Sequence, residues 1–190
     1  MAASIVIDAG HGGYDSGASY QGRREKDDVL RLALAVGQKL AQDGYQVYYT
    51  RTEDVYDSPY EKAQIANAAG ADYFVSLHRN SSPNPNTYSG VETLVYQENQ
   101  VVNDIADAVN QRLSEVGFRN LGIKERPGLV VLRRTQMPAV LIEAGFLNTD
   151  ADNALFDQKF NEIADAIAQG IEEGIGAADT SRPARYGVQV

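Results

Sequence analysis

Cysteine is absent from this 190-residue chain, and histidine occurs only twice. Without thiols no thiolate can serve as a metal ligand, and the redox compartment stays open, since exported proteins also avoid free cysteine. Positive charge is scarce: 17 basic residues stand against 26 acidic ones, for a net charge of −9. That balance argues against a nucleic-acid footprint and against attraction to an anionic membrane surface. No apolar run approaches the roughly 20 residues that span a bilayer, so membrane insertion is not expected. The chain passes from Met-Ala-Ala straight into its first apolar stretch, so no signal peptide is expected. Internal repeats and low-complexity segments are missing as well.

What is present has the composition of one soluble globular domain, 43% hydrophobic and 23% charged. Both histidines sit in the same context. Ser4-Ile5-Val6-Ile7-Asp8-Ala9-Gly10 is an apolar run that ends in His11-Gly12-Gly13, and Asp72-Tyr73-Phe74-Val75-Ser76-Leu77 runs into His78-Arg79-Asn80-Ser81. Short apolar runs bounded by turn residues read as buried strands, and open α/β sheets bind ligands at the carboxyl ends of their strands. Two strand-end imidazoles suit a zinc site, which in catalytic form takes three protein ligands and a water. The plainer reading of each histidine is a hydrogen-bonded strand-end residue.

Between and after these strands the apolar spacing predicts a Gly-rich loop to Glu25, a helix over Glu25 to Asp43 closed by Gly44, and a strand over Tyr45 to Arg51. A second helix, capped around Ser58-Pro59, closes near Gly70. Further on come a strand over Gly90 to Tyr96, a helix from Asn99 to Val116, and an irregular stretch from Leu121 to Gly128. Leu129 to Leu132 and Ala139 to Glu143 read as two buried strands, and one long helix covers Asp150 to Ile175. The pattern is the α/β class: one domain over 1–176, a twisted, mostly parallel sheet of about six strands with helices on both faces, then a linker or tail over 177–190.

With cysteine absent, the third ligand must be a carboxylate. Glu25, Asp8, Asp15, Glu92 and Glu143 are all candidates on residue type, and spacing does not choose among them. Asp8, on the strand before His11, suits a supporting role behind the ligands, whereas Glu25, carried by a loop, can reach. Glu143 at the end of Ala139-Val140-Leu141-Ile142 is costly to bury unless paired, near metal or chemically employed. Near zinc-activated water it would serve as general base; otherwise it simply reaches solvent. Asn80 and Arg134 flank the expected site and are candidates for binding substrate.

Five blocks in order carry a resemblance. Ile7-Asp8-Ala9-Gly10-His11-Gly12-Gly13, Gly22-Arg23-Arg24-Glu25-Lys26-Asp27, Ser76-Leu77-His78-Arg79-Asn80, Val131-Leu132-Arg133-Arg134-Thr135 and Met137 through Asn148 resemble the signature blocks of the zinc-dependent N-acetylmuramoyl-L-alanine amidases. More narrowly, they resemble the cell-wall amidase catalytic domain found in bacterial autolysins and phage endolysins. The resemblance implies a Zn2+ ion held by His11, Glu25 and His78, with Glu143 as base. It implies hydrolysis of peptidoglycan at the amide between the lactyl group of N-acetylmuramic acid and L-alanine. Wall-binding modules often accompany such domains, here C-terminal to this chain. Action on the wall without a signal peptide would then mean release by lysis, a phage origin, or a domain taken from an exported parent. Arg79 departs from the pattern, standing where relatives usually carry a small residue; it would touch the anionic stem peptide or point outward. A peptidoglycan-binding domain that has lost catalysis, and a zinc peptidase or deacetylase, are the competing readings.

Overall fold

In the computed structural model, residues 3–181 are described, with side chains to 178. Ser4–Ala9 forms β1, Gln46–Tyr49 β4, Tyr73–Asn80 β5, Val91–Val95 β6, Asn120–Glu125 β7 and Ala139–Phe146 β8. A two-residue hairpin, β2 (Ser19–Tyr20) and β3 (Arg23–Arg24), interrupts the Gly-rich loop. The six long strands make one sheet in the order β4-β1-β5-β8-β6-β7. Strands β4, β1, β5 and β8 are mutually parallel; β6 runs antiparallel to β8 and carries β7 parallel to itself.

Helices cover both faces. Alternate strand residues Ile5, Ile7, Ala9, Val75, Leu77, Val140 and Ile142 pack under α1 (Glu25–Gln42), α3 (Gln100–Val116) and α6 (Phe160–Ser181). The intervening residues Val6, Phe74, Leu94, Ala139 and Leu141 face a thinner layer of α2 (Pro59–Ala69) and α4 (Val130–Arg134). The period of two therefore sends Asp8, Ser76, His78, Glu92 and Glu143 to the α2–α4 face.

Local chemistry explains most boundaries. Acids fill the first turn of α1, where they complement the helix dipole. Ser58 and Glu61 form a reciprocal capping box on α2, Pro59 opens the helix, and Gly70 closes it in the left-handed conformation.

Three segments differ from the sequence reading. Leu129 to Leu132 is the start of α4, not a strand: a four-residue apolar run has no period to distinguish the two, and Val131 and Leu132 are buried on the α2 side. Leu121 to Glu125 is a strand because β7 is the sheet edge; half-buried throughout, and bulged opposite Val91 to Thr93, it shows no clean alternation. The last helix is two: α5 (Asp150–Gln158) ends at Lys159, whose backbone leaves helical geometry, and α6 follows. α6 continues through 177–181, residues assigned to a tail; 182–190 lie outside the described residues.

Candidate metal centre

The carboxyl ends of β1 and β5 bring the two histidines together, with ring centroids 4.9 Å apart at an edge-to-face angle of 78°. His11 sits in the left-handed region, φ 58°. For a β-carbon residue this costs on the order of 1 kcal/mol, the kind of strain that surrounding structure holds at functional sites. Two glycines make the approach possible: a methyl group on Gly10 would collide with the His78 ring, and one on Gly17 with the His11 ring and the Glu25 carboxylate.

Glu25 lies between the imidazoles. Its Oε2 is 3.1 Å from His11 Nε2 and its Oε1 2.9 Å from His78 Nδ1. Backbone N–H groups of Ala18 and Arg79 donate to the same two oxygens, at 2.9 and 3.0 Å. Glu25 is thus the first residue of α1, buried and fixed, rather than a group swung in on a flexible loop. His11, Glu25 and His78 offer ligand atoms that all lie within 4.8 Å of one another.

The electrostatics describe a site built for a cation. Burial acts against charge on His11, but the bonds to Glu25 and Asp15 outweigh it and raise the imidazole to about 9. Burial likewise opposes charge on His78, and Glu25 outweighs it, raising that ring too. Burial pushes Glu25 up, but the two histidines hold its carboxyl far below the ordinary carboxylate range. Protons on the rings supply the positive charge that this donor set attracts, and a divalent cation satisfies the same set. Asp15, one of the candidate ligands, instead lies 2.9 Å from His11 Nδ1 and orients Nε2 toward Glu25.

Glu143 stands in register with His78 on β5 and with Glu92 on β6. Its Oε2 is buried and has no hydrogen-bond partner. Burial, opposed by His78 and reinforced by Glu25 and Glu92, lifts the carboxyl to about 7. Glu92 is otherwise engaged: Oε1 accepts from Asn80 Nδ2 at 2.9 Å and Oε2 pairs with Lys124. Asn80 therefore lies at the site but spends its amide on Glu92. Arg134 is exposed in the last turn of α4 and lines a different cleft, with Tyr60, Asn67 and Gln136. A cavity of about 310 Å³ opens in front of His11 and His78, bounded by Pro59 and Lys62 of α2, Leu129, the α4 residues Val130 and Val131, and Leu141 of β8.

Of the supporting residues, Asp8 suited that role on sequence, whereas Lys62 and Arg51 gave no signal there. Asp8 is not a ligand but the centre of a buried network: Lys62 Nζ donates to its Oδ1 at 2.8 Å and to the Ala9 carbonyl at 2.6 Å, while Thr50 and Ser76 hydroxyls donate at 2.6 Å each. Arg51 ties the Gly10 carbonyl to the Lys26 carbonyl of α1. Arg79 neither touches the cavity nor points outward. Pointing to the α1 face, 1% exposed, it donates to Asp28 at 2.6 Å and Asn153 at 2.8 Å and stacks 4.1 Å over Phe156. Its backbone N–H meanwhile holds Glu25, so the larger side chain anchors the ligand's strand from behind.

Two imidazoles and a carboxylate around one point, an unpartnered carboxylate beside them and an open cavity in front make a candidate metal centre on an α/β fold, an arrangement of the kind metal-dependent hydrolases use. The chain belongs to the N-acetylmuramoyl-L-alanine amidase family, whose pattern matches residues 5–173. The endolysin of Bacillus phage SPP1 is 38% identical over 181 residues, 91% of this chain and 66% of that protein. The sporulation-specific N-acetylmuramoyl-L-alanine amidase of Bacillus subtilis is 34% identical over 192 residues, 98% of this chain and 73% of that one. The crystal structure of N-acetylmuramoyl-L-alanine amidase from Clostridium difficile 630 superposes with a TM-score of 0.87 at 35% identity, covering 95% of this chain and 99% of that one. The chain spans about two thirds of the SPP1 endolysin. Among the described residues no helix is long and apolar enough to cross a membrane.

Proposed function

We propose that this chain is a zinc-dependent peptidoglycan hydrolase, cutting the amide between the lactyl group of N-acetylmuramic acid and L-alanine of the stem peptide. Family membership supports the bond class, and the unpartnered Glu143 Oε2 beside the His11–Glu25–His78 set is the observation that carries the mechanism. His11, Glu25 and His78 hold the ion; zinc in such a three-ligand site supplies Lewis acidity and makes water nucleophilic near neutral pH. Glu143 takes the proton of the attacking water as the lactyl carbonyl becomes tetrahedral, then returns it to the alanine nitrogen as the C–N bond breaks. Asp15 and the Asp8–Lys62 network keep His11 in place through this cycle. A wall-binding module joined to the domain belongs to the same proposal, motivated by relatives that extend beyond the matched region, and the place of action is the cell wall.

Product analysis tests the reading. Zinc-loaded protein incubated with peptidoglycan is expected to release stem peptides with free L-alanine amino termini from uncut glycan strands, and a chelated control to release none. New termini inside the stem, or freed acetate, would instead make it a zinc peptidase or deacetylase. Binding without release in the zinc-loaded form would make it a binding domain.

A further inference from the structure

The turn that follows His11 presents an aromatic ring to solvent in a way that neither metal binding nor packing uses. Gly12 and Asp15 exchange backbone hydrogen bonds of 3.0 Å, closing a tight turn with Tyr14 at its tip. The Tyr14 side chain is 82% exposed, more than any other large apolar residue described. Its ring lies 4.2 Å, centroid to centroid, from that of Tyr56 in the segment after β4, beside exposed Val55. The two turns that carry the pair are tied to each other. The Gly13 N–H donates to Asp54 Oδ1 at 2.8 Å, and buried Lys26 donates both to the Gly13 carbonyl at 2.7 Å and to Asp54 Oδ2 at 2.6 Å. A paired aromatic surface, open to solvent at Tyr14 and carried on braced turns three residues from His11, suits a ligand with a flat apolar face, since an aromatic side chain offers a broad apolar ring with a polar tip.

Charge selects the occupant. Asp15, Asp57 and Glu61 lie around this rim beside Asp54, which Lys26 answers, and the Asp15 and Glu61 carboxylates act on the Tyr14 hydroxyl itself. Such a rim repels the carboxylates of a stem peptide and accepts an uncharged ligand with an apolar face. The pyranose rings of the glycan strand are of that kind, offering C–H faces to an aromatic ring. At the other edge of the sheet, Lys124 of β7 is 41% exposed and its charge is shared with Glu92 beside Glu143, so the stem meets a paired cation on that side rather than an acidic rim.

We propose that Tyr14 and Tyr56 form a sugar-stacking platform that seats the neutral pyranose neighbouring, along the glycan strand, the muramic acid whose amide is cut. Substrate then lies across the site with glycan over the β1–β4 edge and stem toward β6–β7. This rests on the amidase reading and names the glycan subsite of that site.

The test compares zinc-loaded parent, Tyr14→Ala, Tyr56→Ala and Tyr14→Phe on two substrates, uncrosslinked glycan strands bearing stems and a single-sugar muramyl tripeptide. Binding of chitotetraose is followed in parallel by tyrosine fluorescence. The ratio of kcat/KM on strands to kcat/KM on the tripeptide is expected to fall about tenfold in Tyr14→Ala, equivalent to about 1.4 kcal/mol. KM on strands carries the change, Tyr14→Phe restores it, and chitotetraose binding weakens to match. An unchanged ratio, equal loss on both substrates, or no chitotetraose binding by the parent overturns the platform. A parent inert on both substrates, whose chitotetraose binding is nevertheless lost in Tyr14→Ala, sinks the amidase reading and leaves the platform standing.

Discussion

Glu143→Gln should make the metal-free protein more stable and the zinc-loaded protein inactive. The carboxyl is lifted from its ordinary 4.5 to about 7, chiefly by burial. Between those two values the folded chain holds a proton that the unfolded chain has released. Stability therefore falls as pH rises through the window, by about 1.4 kcal/mol per unit and on the order of 3 kcal/mol in all. Below pH 4.5 the cost is absent; above pH 7 it is fully present. Glutamine keeps the shape without the charge, so the variant escapes the cost. In chelator at pH 8 it is expected to melt roughly 10 °C above the parent, and the gap is expected to close by pH 4.5. Thermal melts by circular dichroism from pH 4.5 to 8 measure it, and turnover on peptidoglycan should drop by about 10²–10⁴ in the same variant with zinc present. A variant no more stable than the parent at pH 8, or a gap independent of pH, would refute the reasoning.

Other expectations follow from the same geometry. Arg79→Ala leaves Asp28 with only Arg23 and opens space under Phe156, so urea denaturation should show a loss of about 3 kcal/mol. Lys62→Met strands the buried Asp8 carboxylate and should cost about 3–5 kcal/mol, whereas Lys62→Met with Asp8→Asn should recover much of it; equal losses would mean the pair is not coupled. Glu25→Gln should weaken zinc binding by at least tenfold in a competition titration with a chromogenic chelator, and affinity equal to the parent's would remove Glu25 from the ligand set.

Continuous apolar runs made the strands legible, because a parallel strand buried on both faces is such a run, as β1, β5 and β8 are. Their apolar runs break at His11, His78 and Glu143, which marked the site's edge of the sheet, although β5 continues to Asn80 and β8 to Phe146. Local rules failed where tertiary context decides. Leu129 to Leu132 had β-branched composition but lies over α2, and β7 hides its pattern at an edge. The break at Lys159 carries neither glycine nor proline. On residue type the third ligand stayed open, because five carboxylates satisfied the requirement; the family resemblance pointed to Glu25, and in the structure Gly10 and Gly17, lacking side chains, let both rings reach it. Arg79 and Lys62 were beyond sequence reasoning, since nothing local tells a buried, paired cation from a solvated one.

The central claim is that His11, Glu25 and His78 form one metal centre with Glu143 free beside it. Anomalous diffraction at the zinc absorption edge, from crystals of the zinc-loaded protein, tests it most directly. The account predicts a single peak within about 2.0–2.2 Å of a donor atom on each of the three side chains, with the Glu143 carboxylate outside bonding distance. No peak there, a peak on Asp15 and Asp54 instead, or Glu143 bound as a ligand would contradict it.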